Sequence, residues 1–243
     1  MSKRSKSKLN PILILLGISA LIILAVGSLF INSNERLIRS NVVKLMKKGV
    51  GMCTGEQIRT YLGNVYVLSA AHCKHLADDK GLVEVIDASG KSFSRRIIAE
   101  DGESDLLLLE GIPGPKGLAI ADNSYPNEEI RTFTHGANMN TYKTSGVIVQ
   151  DSLVSIPMFE VNTPETEKEC KSMPKYTIAE FFTQKVCVLS LMETIITASI
   201  VPGSSGGPIV DTKGDLVGVA SCTDGHFGGI VTLYHIKAFV KGY

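Results

Sequence analysis

From Val42 onward, turn residues cut the chain into short apolar runs, and this punctuation constrains the fold more than any other feature. The runs are Val65–Ala71, Leu82–Asp87, Ser92–Ala99, Leu106–Leu109, Ile130–Thr134, Ser145–Gln150, Val186–Leu191, Leu216–Ala220 and Gly229–Tyr234. Apolar stretches this short, bounded by Gly, Pro, Asn, Asp and Ser, are strands. Val83, Val85 and Phe93 alternate with polar neighbours, the period of a half-buried strand. Many short strands in succession imply an all-β barrel or sandwich. His235–Lys241 reads as a terminal amphipathic helix. Residues 151–190 read as a decorated surface loop in which Tyr176–Gln184 forms a helix.

The string Gly203-Ser204-Ser205-Gly206-Gly207-Pro208 has the composition of a surface loop and also of a nucleophile loop. A serine hydroxyl attacks a carbonyl only when a base takes its proton and N–H groups hold the oxyanion that forms. Gly203 lacks a Cβ, so its peptide can turn its N–H inward, beside that of Ser205. Ile209-Val210, the turn Asp211–Asp215 and the strand Leu216–Ala220 follow, so the loop leads into a hairpin. The string also fits G-x-S-x-G, the elbow of α/β-hydrolases. There the serine precedes its acid and histidine and opens a helix, whereas here strands follow it.

His72 closes the run Val65–Ala71 within Leu68-Ser69-Ala70-Ala71-His72-Cys73, and Asp105 opens Leu106-Leu107-Leu108-Leu109 within Ser104–Glu110. Asp78, Asp79, Asp87 and Asp101 precede no comparable strand. His75, His135, His226 and His235 lie in no such context and are read as ordinary surface or core residues. The three strings, in the order His, Asp, Ser, resemble the chymotrypsin/trypsin-like serine protease superfamily. The strand-then-helix ending is similar to its HtrA-like bacterial or viral branch, here with no PDZ domain following.

The resemblance implies two six-stranded β-barrels over residues 42–243, with a crossover near 121–128, His72 and Asp105 in the first barrel and Ser205 in the second. It implies Ser205 as nucleophile, His72 as general base and Asp105 as the carboxylate that orients the imidazole. The N–H groups of Gly203 and Ser205 would form the oxyanion hole. Ser199 would lie at the base of the specificity pocket, with Ser221 and Cys222 in its wall and on the edge that pairs with an extended substrate. Neutral Ser199, and Ala220 where glutamate-selective relatives carry histidine, point to a small or medium uncharged residue before the cut. The family usually has a small residue two places after the aspartate, and this chain has Leu107. Ser204 stands where trypsin-type zymogens place the aspartate that captures a new N-terminus, so no activation of that kind is expected. Cys53 and Cys73 are expected to pair, as cysteines in these positions commonly do in trypsin-like proteases.

The 243 residues suffice for one large or two small domains, and the formal net charge of +1 implies no general attraction to nucleic acid. No phosphate loop, metal-ligand cluster or cofactor motif is evident. Residues 1–10 form a basic tail. Pro11–Ile31 is uncharged and rich in Ile and Leu, long enough at about 1.5 Å per residue to cross a hydrocarbon core of ~30 Å. It reads as a retained signal-anchor followed by a polar linker at 32–41. The competing reading is a signal peptide cleaved near Ala25-Val26-Gly27. Cys170 and Cys187 bracket part of the 151–190 segment, and spacing alone leaves their pairing, and that of Cys222, open. A disulfide implies an oxidising compartment. The expectation is therefore a membrane-anchored, extracytoplasmic serine endopeptidase acting on a protein or peptide substrate. A catalytically silent protease-fold scaffold is the alternative.

Overall fold

The computed structural model describes residues 33–47, 50–136, 141–172, 176–181, 184–223 and 228–243. The apolar span expected at 11–31 lies outside these residues. Among the described residues, no helix is long and apolar enough to cross a membrane. The chain divides into two compact units, Met1–Leu37 and Ile38–Tyr243.

Within the second unit the fold is all-β. Strands β1 (Val42–Lys47), β2 (Val50–Arg59), β3 (Val65–Ser69), β4 (Leu82–Ile86), β5 (Ser92–Asp101) and β6 (Leu106–Glu110) close into a barrel in the order β1-β2-β3-β6-β5-β4. A second sheet contains β7 (Glu129–His135), β8 (Thr141–Glu160), β9 (Tyr176–Phe181), β10 (Gln184–Ile196), β11 (Pro208–Val210), β12 (Leu216–Thr223) and β13 (Gly228–Thr232). Its order is β13-β12-β11-β7-β8-β10-β9, and a further β13–β10 pairing closes six of these strands into a barrel. The terminal helix runs from Leu233 to Val240, capped by the Thr232 side chain, which accepts from the His235 N–H.

The interior of the first barrel holds Val43, Leu45, Val67, Val83, Val85, Leu107 and Leu109. Ile130, Ile148, Ile196, Ile209 and Ile230 belong to the core of the second. Leu106 and Leu108 point the other way from Leu107 and Leu109, into a cluster with Ile58, Leu216, Val219, Val231 and Ile236 where the two barrels meet. All four leucines of β6 are therefore fully buried, which is why the run is continuous and not alternating. Leu107, the departure from the family's small residue, fills the first barrel's interior.

Two expectations need correction. Residues 32–41, read as a linker, are helical over 33–41. In the second unit Ile38 packs with Val42, Leu118, Phe133 and Val210, and the Asn41 side chain accepts from the Gly117 N–H at 3.0 Å.

Residues 151–190 are also not a loop. β8 and β10 pair along a ribbon reaching Glu160 and Val186, and of the segment read as a helix at Tyr176–Gln184, Tyr176–Phe181 is instead strand β9 on β10. Its Tyr, Thr, Ile and Phe suit a pleated surface. The helix lies earlier, at Pro164–Ser172, where the signals favour it. Thr163 Oγ1 accepts from the Thr166 N–H, Pro164 opens the first turn, Glu165 and Glu167 sit in that turn and Lys171 in the last. A Cys170–Cys187 disulfide ties this helix to β10.

Candidate active site

Strand pairing explains how residues 33 positions apart meet. β3 and β6 are antiparallel neighbours with Ser69 opposite Leu107. Continuing past Ser69 and backing up from Leu107 leads both chains to the same end of the barrel. There β3 runs through Ala70 into a short 3-10 helix, Ala71–Leu76, that carries His72. Asp105 occupies the turn before β6 with φ 55°. The left-handed region costs a non-glycine residue roughly 1 kcal/mol or more and persists where surrounding contacts over-determine it.

Asp105 has such contacts. One carboxylate oxygen accepts from the His72 backbone N–H at 3.0 Å, and the two oxygens lie 3.1 and 3.0 Å from His72 Nδ1. The second oxygen also accepts from Ser221 Oγ at 2.8 Å. A carboxylate only accepts, so in the neutral ring Nδ1 carries the hydrogen and Nε2 keeps its lone pair. The Asp105 side chain is 10% exposed and that of His72 is 43% exposed, so the acid is shielded while the imidazole faces solvent.

Ser205 comes from the loop between β10 and β11. Its hydroxyl donates to the Ser221 carbonyl at 3.3 Å, so Ser221 links the serine to Asp105 through its backbone and side chain. Ser221 is the extra residue of a bulge in β12, where the register against β13 shifts between Ala220 and Cys222. A bulge re-aims a side chain, and here the Ser221 hydroxyl points at the carboxylate.

The loop's glycines follow from its packing. Gly203 has φ 93°, a conformation that glycine adopts without penalty. A Cβ on Gly206 would sit 2.0 Å from Ser69 Oγ and 2.3 Å from the Thr54 carbonyl oxygen. The N–H groups of Ser204, Gly206 and Gly207 donate to Val201, Ala220 and Ser204 carbonyls. Among the described residues, the N–H groups of Gly203 and Ser205 donate to no protein acceptor.

Ser199 is exposed, and its carbonyl accepts from Thr144 Oγ1 at 3.1 Å. Cys222 belongs to β12, but its side chain lies outside the described residues. The Cys53–Cys73 disulfide is present and fastens β2 to the helix carrying His72. The sulfurs of Cys53 and Cys73 and a His72 ring nitrogen lie within 4.8 Å of one another. Both sulfurs are spent in the disulfide, so the cluster has no thiolate to offer a metal. Sequence reasoning missed Thr54 altogether, although a small polar residue directly after the cysteine that anchors the histidine was a usable signal.

A carboxylate–imidazole pair linked to a half-buried serine, with two unpaired N–H groups on the serine's loop, is a set of groups suited to acyl transfer. The comparisons bear on the fold and the family. The fold is similar to the serine endoprotease from Yersinia pestis at 16% identity and a TM-score of 0.60, over 87% of this chain and 65% of that one, so this chain spans just under two thirds of that relative. It is similar to the Rv3671c protease from M. tuberculosis in its active form at 20% identity and a TM-score of 0.62, over 88% of this chain and 85% of that one. The inactive form gives 18% identity and a TM-score of 0.60, over 88% and 95%. No curated protein sequence matches the chain. The family model for the trypsin-like peptidase domain matches residues 49–219. The chain therefore belongs to the trypsin-like peptidase family.

Proposed function

We propose that the protein hydrolyses peptide bonds through an acyl-enzyme at Ser205. The observation that carries this reading is the Asp105 carboxylate, which engages both the ring and the backbone of His72 and is connected through Ser221 to the Ser205 hydroxyl. In the proposed mechanism Ser205 Oγ attacks the scissile carbonyl carbon while His72 Nε2 takes its proton. The oxyanion accepts from the N–H groups of Gly203 and Ser205. Collapse breaks the C–N bond, and the imidazolium gives its proton to the departing amine. Water then attacks the ester, losing its proton to His72, which returns it to Ser205 Oγ as the acid leaves. Asp105 holds the imidazole in the required tautomer and stabilises the imidazolium.

Substrates on this reading carry a small or medium uncharged residue before the cut. A pocket with neutral Ser199 and Ala220 offers no partner to a buried substrate charge. Two disulfides suit an oxidising compartment, which favours an extracytoplasmic domain held by the 11–31 segment. The test is covalent labelling by a fluorophosphonate with mapping of the modified residue. Ser205 should carry the label, and Ser205→Ala or His72→Ala should abolish both labelling and peptide cleavage in folded protein. A label that moved to Ser204 in the Ser205→Ala protein would overturn the assignment. Activity should also fall in mildly acidic buffer, because a protonated imidazole is no base.

A further inference from the structure

We propose that the hydroxyls of Thr54 and Ser204 are positioning groups that lock residues 201–205 in the one conformation that leaves the Gly203 and Ser205 N–H groups unpaired and convergent. The inference rests on the reading of Ser205 as nucleophile and explains what readies its loop.

Thr54 is fully buried, and every polar atom it owns is hydrogen-bonded, two of them to this loop. Its N–H donates to the Ser205 carbonyl at 2.8 Å, and its hydroxyl donates to the Gly203 carbonyl at 2.8 Å. The same hydroxyl accepts from the His135 N–H at 2.9 Å, so its single hydrogen is committed to Gly203. The Thr54 carbonyl accepts from Ser69 Oγ at 2.7 Å, fixing β2 against the end of β3, just ahead of the helix that carries His72.

Ser204 holds the loop from the other side. It is fully buried, its Oγ accepts from the Val201 N–H at 3.2 Å, and it shares a hydrogen bond of 2.8 Å with Thr134 Oγ1. The loop is thus held at the Val201 N–H, the Gly203 carbonyl and the Ser205 carbonyl. Holding the two carbonyls sets the planes of the 203–204 and 205–206 peptides. With Gly203 at φ 93°, the N–H groups left over are those of Gly203 and Ser205. A glycine at that φ can rotate its preceding peptide at little cost. Without the Thr54 hydroxyl the Gly203 carbonyl loses this bond, and the β2 side keeps only the Thr54 N–H on the Ser205 carbonyl. The lock is built from neutral hydroxyls and works without a buried ion pair beside the nucleophile.

The test uses the full chain and a chromogenic peptide, with folding monitored by thermal unfolding. Thr54→Val keeps the branched shape and removes the hydroxyl. It should lower kcat about 100-fold, the order of losing one oxyanion donor, with KM within about threefold of the original. Thr54→Ser should restore kcat to within about fivefold. Ser204→Ala should lower kcat at least about tenfold with KM again little changed. Affinity for a peptide boronate, which presents a tetrahedral oxyanion, should fall in parallel with kcat. A merely structural role would leave that parallel absent.

A folded Thr54→Val protein with near-original kcat overturns the proposal. So does a loss confined to KM, or a Thr54→Ser protein no better than Thr54→Val. Should Thr54→Val not fold, Ser204→Ala decides by the same criterion, an undiminished kcat overturning the proposal. Failure of the underlying reading is recognised separately, because the unsubstituted protein would then take no fluorophosphonate at Ser205.

Discussion

The two barrels share one strand order but contribute to the site by different means. Numbering strands within each barrel, both run first, second, third, sixth, fifth, fourth around the circle. In the first barrel no strand exceeds ten residues, and β3 and β6 pair without a register shift. His72 and Asp105 meet because they flank one antiparallel pair, so the ladder itself sets their approach. In the second barrel β8 and β10 outgrow the barrel as a ribbon, and the groups that matter sit off the ladder. Ser205 lies in a loop and Ser221 on a bulge. Their positions depend on hydrogen bonds to the first barrel, through Thr54 and Asp105. A pair placed by register is robust to changes elsewhere, whereas a residue placed by side-chain contacts between barrels depends on each contact.

The largest effect should follow from breaking the register-placed pair. Asp105→Asn keeps the shape of the carboxylate but can present its NH2 to His72, favouring the wrong tautomer. We expect kcat to fall about 10⁴-fold with the fold retained. Steady-state kinetics beside a thermal melt checks this, and a loss under about tenfold would mean that the pair does not orient the imidazole.

The disulfides sharpen the comparison next. Replacing Cys53 and Cys73 together by Ser should lower stability by about 3 kcal/mol and also reduce kcat, because the bridge fastens the helix carrying His72. Replacing Cys170 and Cys187 removes a bridge of similar span that holds only the ribbon's helix to β10. There stability should fall while kcat stays within about threefold. Equal losses of activity in the two double variants would show that the ribbon is coupled to the site.

A smaller, graded effect should come from Glu56. It shares a face of β2 with Thr54 and Ile58, which both face the second barrel. It is fully buried, and neither carboxyl oxygen has a hydrogen-bond partner among the described residues. Burial pushes its pKa well above the ordinary 4.5. The folded state therefore holds a proton that the unfolded state releases. This contribution to stability is fully present below the unfolded pKa, and declines as pH rises toward the raised folded value, by at most about 1.4 kcal/mol per pH unit. Thermal unfolding between pH 5 and 9 should show this slope, and Glu56→Gln should flatten it. An unchanged slope in the variant would mean that Glu56 finds a partner on ionising.

Much of this was legible in advance because it depends on local pattern. The Leu106–Leu109 run announced a strand buried on both faces, and the strings holding His72, Asp105 and Ser205 stood in their family order. The helix at Pro164–Ser172 was also legible, in Thr163-Pro164-Glu165, but its high charge read as loop. Tyr176–Phe181 became a strand because β10 offers a free ladder there, which no local pattern records. The helical stretch 33–41 passed for a linker because its polar residues outnumber its apolar ones, of which Ile38 is buried.

The sequence by itself determined most strands outside residues 151–190, the pairing of Cys53 with Cys73 through family resemblance, and the strings that hold His72, Asp105 and Ser205. These follow from periodicity and motif, which act over a few neighbouring residues. The tertiary structure alone decided that Ser221 turns its hydroxyl to Asp105, that Thr54 holds the carbonyls of Gly203 and Ser205, and that Glu56 is buried without a partner. Each joins segments distant in sequence. A hydroxyl or carboxyl has no preferred partner until folding chooses which donors and acceptors lie within about 3 Å of it.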